Sequence, residues 1–190
     1  MPAPTSSAPT PNLAPGDCTF TLEKYTGTLS DIVLGDEVVG IGDTAFSRNP
    51  ALTSVWLPDT VETIGRAAFS SCIHLESLHM PASIRKMGVS AFLGCRRLTA
   101  IRFPEGLDEL PSRTFSRCLS LEEVVLPEGI ETIGVHAFDH CESLVELRLP
   151  STLRRIERRA FRGCKNLMQL AYPPSLEYIA PDAFEGVGTP

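Results

Sequence analysis

The sequence predicts an α/β repeat solenoid, with a parallel strand ladder along one side and short helical or 3₁₀ segments opposite. Three observations carry this. Phenylalanine recurs at Phe46, Phe69, Phe92, Phe115, Phe138, Phe161 and Phe184, always 23 residues apart. Pro58, Pro81, Pro104, Pro127, Pro150 and Pro173 keep the same interval, as do the leucines from Leu29 and Leu52 to Leu167. Cys72, Cys95, Cys118, Cys141 and Cys164 run in phase with them. A fixed period of this length marks an array of stacked units rather than a single globular core.

One unit, read on Leu52, Val55, Leu57, Pro58, Val61, Ile64, Gly65, Ala68, Phe69 and Cys72, supplies each element in order. Val55 and Leu57 are two apart, the period of a half-buried strand. Pro58 follows and ends that strand, because it has no N–H for the ladder and favours a turn. Val61, Ile64 and Ala68 are spaced by three and four, which predicts a 3₁₀ piece or one to two helical turns. Gly65 marks a close bend, and Phe69 supplies interior bulk. A lone unit leaves its apolar side bare. Stacked units bury it, at about 4.8 Å per strand and very roughly 34 Å for about seven units. Such a stack is a leucine-rich repeat, whose unit runs to about 20–29 residues.

The unit Ile-Gly-x-x-Ala-Phe-x-x-Cys-x-x-Leu-x-x-Val-x-Leu-Pro resembles the BspA-type (Treponema pallidum-type) leucine-rich repeat, from Leu29 to Gly186. The lead-in from Tyr25 to Leu34 is similar to the segment that precedes the first repeat there. The resemblance implies a non-enzymatic binding surface, commonly on bacterial cells, that adheres to host or neighbouring-cell proteins. It implies a cell-surface or secreted location. Departures are local: Asn49 and Val187 stand in the Cys phase, Pro111, Glu157 and Ala180 in the Gly phase, and Thr114 in the Ala phase.

Three segments are expected. Residues 1–16 hold five prolines and little that is large and apolar, which predicts a disordered tail. Residues 17–28 are expected to cover the first open edge of the core. Residues 29–190 form the solenoid. Its C-terminal edge, just after Phe184, lacks a charged cover, so self-association through that edge is a second reading. The opening Met1-Pro2-Ala3-Pro4 has neither the basic start nor the apolar run of a signal peptide, which keeps a cytoplasmic interaction scaffold as the alternative.

Composition narrows the function classes. Across 190 residues, 43% are hydrophobic and 21% charged, and the net charge of −6 offers no basic field for nucleic acid or an anionic membrane. No apolar run approaches the ~20 residues of a membrane helix, so membrane insertion is not expected. Neither a Gly-x-Ser-x-Gly elbow, a phosphate loop nor a dinucleotide fingerprint is present. His74, His79, His136 and His140 fall at four different phases of the repeat. The sequence therefore predicts no enzyme, no catalytic residues and no cofactor. The cysteines read as a column of buried free thiols, since equivalent side chains point the same way and no metal-ligand spacing occurs. Cys18 lies outside that column.

The outward positions of the ladder are the candidate site. One column reads Val33, Trp56, His79, Arg102, Val125, Arg148, Ala171, and the next Asp31, Ser54, Ser77, Ala100, Glu123, Glu146, Gln169. These positions vary while the core positions hardly do. Trp and Arg dominate binding hot spots. Trp56, His79, Arg102 and Arg148 are accordingly the expected protein-contact stripe. A second cluster, Arg154, Arg155, Arg158, Arg159 and Arg162, reads either as a local site for an anion or acidic partner or as a solvated face offset by Glu131, Glu157 and Glu177.

Overall fold

The computed structural model describes residues 19–168 and 170–188. The proposed 1–16 tail and Cys18 lie outside them. In chain order the strands are β1 (Phe20–Leu22), β2 (Asp31–Val33), β3 (Val38–Ile41), β4 (Ser54–Trp56), β5 (Thr63–Ile64), β6 (Ser77–His79), β7 (Lys86–Met87), β8 (Ala100–Arg102), β9 (Glu109–Leu110), β10 (Glu123–Val125), β11 (Thr132–Ile133), β12 (Glu146–Arg148), β13 (Arg155–Ile156) and β14 (Tyr178–Ile179). All pairings are parallel and, β1 on β3 apart, join each strand to its counterpart one repeat away. β2, β4, β6, β8, β10 and β12 line one side as the longer ladder, and β1, β3, β5, β7, β9, β11, β13 and β14, mostly two-residue strands, form the second, shorter one. The chain is thus a leucine-rich-repeat solenoid.

The core sits between the two ladders and the turns that connect them. Phe46 and its repeats through Phe161 are almost wholly buried, and successive rings from Phe46 to Phe184 stack nearly parallel with centroids 5.0 to 5.6 Å apart. Each buried ring of this size contributes about 1.5–3 kcal/mol. β1 pairs with β3, and the Tyr25 ring lies 5.2 Å from that of Phe46.

The expected helical segments are absent among the described residues; turns and the second ladder take their place. The backbone shows why. Ala67, Ser90, Arg113, His136 and Arg159 have φ between 52° and 62°, and Ser71, Arg117 and His140, four residues on from Ala67, Arg113 and His136, repeat this at 58° to 63°. Helical runs do not tolerate such residues. Alternate amides consequently face along the solenoid: Ala67, Phe69 and Ser71 donate to the carbonyls of Val89, Ala91 and Leu93 at 3.0, 2.8 and 2.7 Å. The amides between them close local turns, as Ser70 does on Ala67 at 3.0 Å. A helix would close every bond internally and occupy about 10 Å, twice the distance between neighbouring rings. The three-and-four spacing of Val61, Ile64 and Ala68 therefore reflects a short strand followed by turns. Gly88 fits because its neighbour leaves no room: a Cβ there would lie 2.4 Å from the Arg66 amide nitrogen.

The five described thiols are buried and free. Each donates to the carbonyl of a phenylalanine in the preceding repeat, from Cys72 on Phe46 at 3.0 Å to Cys164 on Phe138 at 3.1 Å. The Phe69 carbonyl accepts both the Cys95 thiol and the Cys72 amide, filling both lone pairs. Burial pushes the Cys72 thiol up to about 11 and Cys164 up to about 12, and it also raises those between them well above the ordinary value.

Both ladders lapse at one place. β6 does not pair with β8, nor β7 with β9. Pro111 supplies the cause on the shorter ladder. The equivalent Gly65, Gly88 and Gly134 amides donate to Ile41, Ile64 and Leu110, whereas proline has no N–H to offer Met87. On the longer ladder the lapse coincides with Phe103, which stands in the phase of Leu57, Met80 and Leu126 and packs edge-on against Phe115 at 5.5 Å.

Candidate functional site

The outward faces of β2, β4, β6, β8, β10 and β12 form an exposed surface. Period-two alternation buries Val55, Leu78, Ile101, Val124 and Leu147 and turns their neighbours out. Register places Val33 beside Trp56 and Trp56 beside His79, and separately Arg102 beside Val125 and Val125 beside Arg148. All four stripe residues thus share one column, divided by the lapse in the ladder. Trp56 and His79 stack with ring centroids 3.7 Å apart and planes at 12°, while the tryptophan stays 53% exposed. Arg148 donates to Glu146 at 3.0 Å; both are exposed, so the pair adds little stability. Arg102 has no carboxylate partner among the described residues.

The column beside the stripe is polar. Ser30, Ser54 and Thr53 donate to the Asp31 carboxylate at 2.6, 2.5 and 3.1 Å. These hydroxyls, Ser30 first, hold its pKa below the usual value. Glu123 lies directly opposite Glu146, an unfavourable like-charge juxtaposition that packing does not require.

Three exposed apolar residues were not singled out by the sequence reading. Val125 is 44%, Val145 40% and Met168 66% exposed, with the Met168 amide bonded to the Val145 carbonyl at 3.1 Å. Their signal is in the repeat: Val145 and Met168 occupy the phase that carries Thr53, Glu76, Thr99 and Glu122 elsewhere. A hollow of about 500 Å³ lies between the paired β8 and β10 repeats, lined by Arg102, Phe103, Glu123 and Val125 among others.

The remaining polar groups have structural partners. The sixth-repeat arginines are offset by acids: Arg154 by Glu131 and Glu177, Arg155 by Glu157, Arg158 and Arg159 by Asp182, and Arg162 by Asp139. Of the two readings of that cluster, the geometry fits the self-neutralised face. His140 Nδ1 lies 3.0 Å from Asp139 and is not paired with Cys141, whose thiol donates to the Phe115 carbonyl. Among the described residues no three His, Cys, Asp or Glu side chains converge as metal ligands, and no helix is long and apolar enough to cross a membrane.

Residues 20–145 and 131–189 match the family described as the BspA type leucine rich repeat region, in six copies. The chain belongs to that family. It is similar to the crystallised leucine rich repeat protein of Treponema pallidum, with 32% identity over 88% of this chain and 81% of that one, and a TM-score of 0.82. A leucine-rich repeat protein from Eubacterium ventriosum is 27% identical over 90% of this chain, with a TM-score of 0.79. This chain spans 46% of that protein's length. No curated protein matches it. Arrays of this family serve generally as non-enzymatic scaffolds for protein interaction.

Proposed function

We propose that the chain is a protein-binding module that takes an extracellular or cell-surface protein on its outward strand face, as an adhesion or host-interaction element. Trp56, His79, Arg102 and Arg148 form the contact stripe. The observation that carries this is the Trp56–His79 stack: a large aromatic surface held rigid on a parallel ladder and left open to solvent. Rigid, exposed aromatic anchors are the usual origin of binding hot spots. The hollow beside Arg102 offers a second recess for a partner side chain, and Val125, Val145 and Met168 extend the apolar contact. We read residues 17–28 as the cover of the first repeat, supported by the pairing of β1 with β3 and by Tyr25 against Phe46.

Two measurements test this reading. Protease shaving of intact source cells, followed by mass spectrometry, is expected to release peptides from residues 1–28. Cleavage only after lysis would leave an intracellular scaffold instead. Capture of a surface protein by the chain is expected to be lost in Trp56→Ala and retained in Arg154→Ala; equal capture by both variants would sink the stripe. A second reading, assembly through the repeat edge, draws on the exposed Tyr178 and Ile179 of β14. It requires a concentration-dependent dimer that Phe184→Glu abolishes.

A further inference from the structure

The turn face, opposite the proposed protein-binding stripe, carries a second recess. Its origin is a column of left-handed turn residues that stack one repeat apart: Arg48, Ser71, Gly94, Arg117, His140 and Gly163. Ser71 is small and Gly94, at φ 73°, has no side chain, so two adjacent repeats leave a notch beside Arg117. A Cβ on Gly94 would meet only Ser71, at 3.8 Å. The resulting hollow measures about 440 Å³.

Its charge is one-sided. Arg96, Arg113 and Arg117 line it from two successive repeats, together with the hydroxyl-bearing Ser71 and Ser116. Among the described residues none of these three arginines pairs with a carboxylate, although the neighbouring Arg97 is held by Glu76 at 3.2 Å and the sixth-repeat arginines are all engaged. The one acid in the lining, Asp139, is already occupied by Arg162 at 2.8 Å and His140 at 3.0 Å. Beside it His136 Nδ1 is buried and makes no hydrogen bond, lying 3.6 Å from Asp139 Oδ2. The wall also includes the apolar Ile73 and Leu93.

We propose that this hollow binds a phosphate monoester, its phosphoryl oxygens on Arg96, Arg113 and Arg117 and its organic body against Ile73 and Leu93. Arginine presents planar donors suited to phosphate, and charge-assisted bonds of this kind are about twice as strong as neutral ones. A hollow of this size exceeds what a bare phosphate fills, which is why an ester is inferred.

The test is calorimetric titration of the full chain with phenyl phosphate, and separately with inorganic phosphate and benzoate, at constant ionic strength. Phenyl phosphate is expected to bind saturably and more tightly than either of the others. Arg113→Gln and Arg117→Gln should each weaken it about tenfold, the equivalent of one charge-assisted bond. Arg158→Gln, which removes an arginine already paired with Asp182, should leave it unchanged. The absence of saturable binding at millimolar phenyl phosphate would overturn the proposal. So would equal weakening by all three variants, which would mean that only diffuse surface charge attracts the ligand. Trp56→Ala should not alter the titration, so failure here and failure of the strand-face reading are separable.

Discussion

On the strand side, repeats are joined by pairing that lapses between β6 and β8, whereas on the turn side the same two repeats stay bonded. There Ser90, Phe92 and Gly94 donate to Ser112, Thr114 and Ser116 at 3.0, 3.0 and 2.8 Å. The phenylalanine stack also continues, with Phe92 and Phe115 at 5.4 Å. A strand ladder depends on every residue offering an amide in register, so a single proline suffices to open the shorter one. The turns carry their bonds on alternate amides, fixed by left-handed residues that recur in every repeat. Continuity of the array therefore rests on the turns and the Phe–Cys spine, and the strand face is freer to vary.

The strongest challenge to that spine is alkaline pH. The folded state keeps the thiol protons, while the unfolded chain releases them above the ordinary value of 9.0. Stability is therefore complete below pH 9.0 and falls as pH rises, until it levels off at about 11 for Cys72 and about 12 for Cys164. Each thiol that stays protonated in the fold adds to this loss, so the five together give a steep fall in stability above pH 9.0. Urea denaturation at about pH 8 and about pH 10 measures this, and Cys118→Ala should remove about one fifth of the slope. A pH-independent midpoint would mean that the thiols do not stay protonated in the folded state.

Truncation of the spine comes next. Phe115→Ala deletes a buried ring between Phe92 and Phe138 and is expected to cost about 3–5 kcal/mol in chemical denaturation. The lapse itself should respond less. Pro111→Gly restores an N–H opposite the Met87 carbonyl, a bond worth about 1 kcal/mol, partly offset by the added chain entropy of glycine. Slowed amide exchange at residue 111 and its β9 neighbours would report the repaired ladder; unchanged exchange would show that the missing Pro111 N–H is not what holds it open. The smallest stability effect belongs to Trp56→Ala. Loss of the stack on His79 should cost no more than about 1 kcal/mol, while partner affinity falls by about 2 kcal/mol, roughly thirtyfold.

Much of this architecture was legible in residue order. The phases of Phe46, Leu52, Pro58 and Cys72 placed the core, the strand and its end, and the alternation around Trp56 placed that side chain outside. The helical expectation failed because the spacing of Val61, Ile64 and Ala68 is shared by a helix and by a strand that enters alternating turns. Only the 5.0 to 5.6 Å stacking distance rules out the wider element. The arginine-rich run from Arg154 to Arg162 drew attention by its density, yet its charges are largely cancelled by acids such as Glu131, Asp139 and Asp182.

The sequence by itself determined the period, the family, the buried columns and the outward stripe, because each depends on spacing along one chain. The tertiary structure alone decided which arginines are neutralised, where the ladder lapses and which recesses open. Those outcomes depend on side chains 23 residues apart becoming neighbours at about 5 Å, where a small residue in one repeat leaves space that the next may or may not fill.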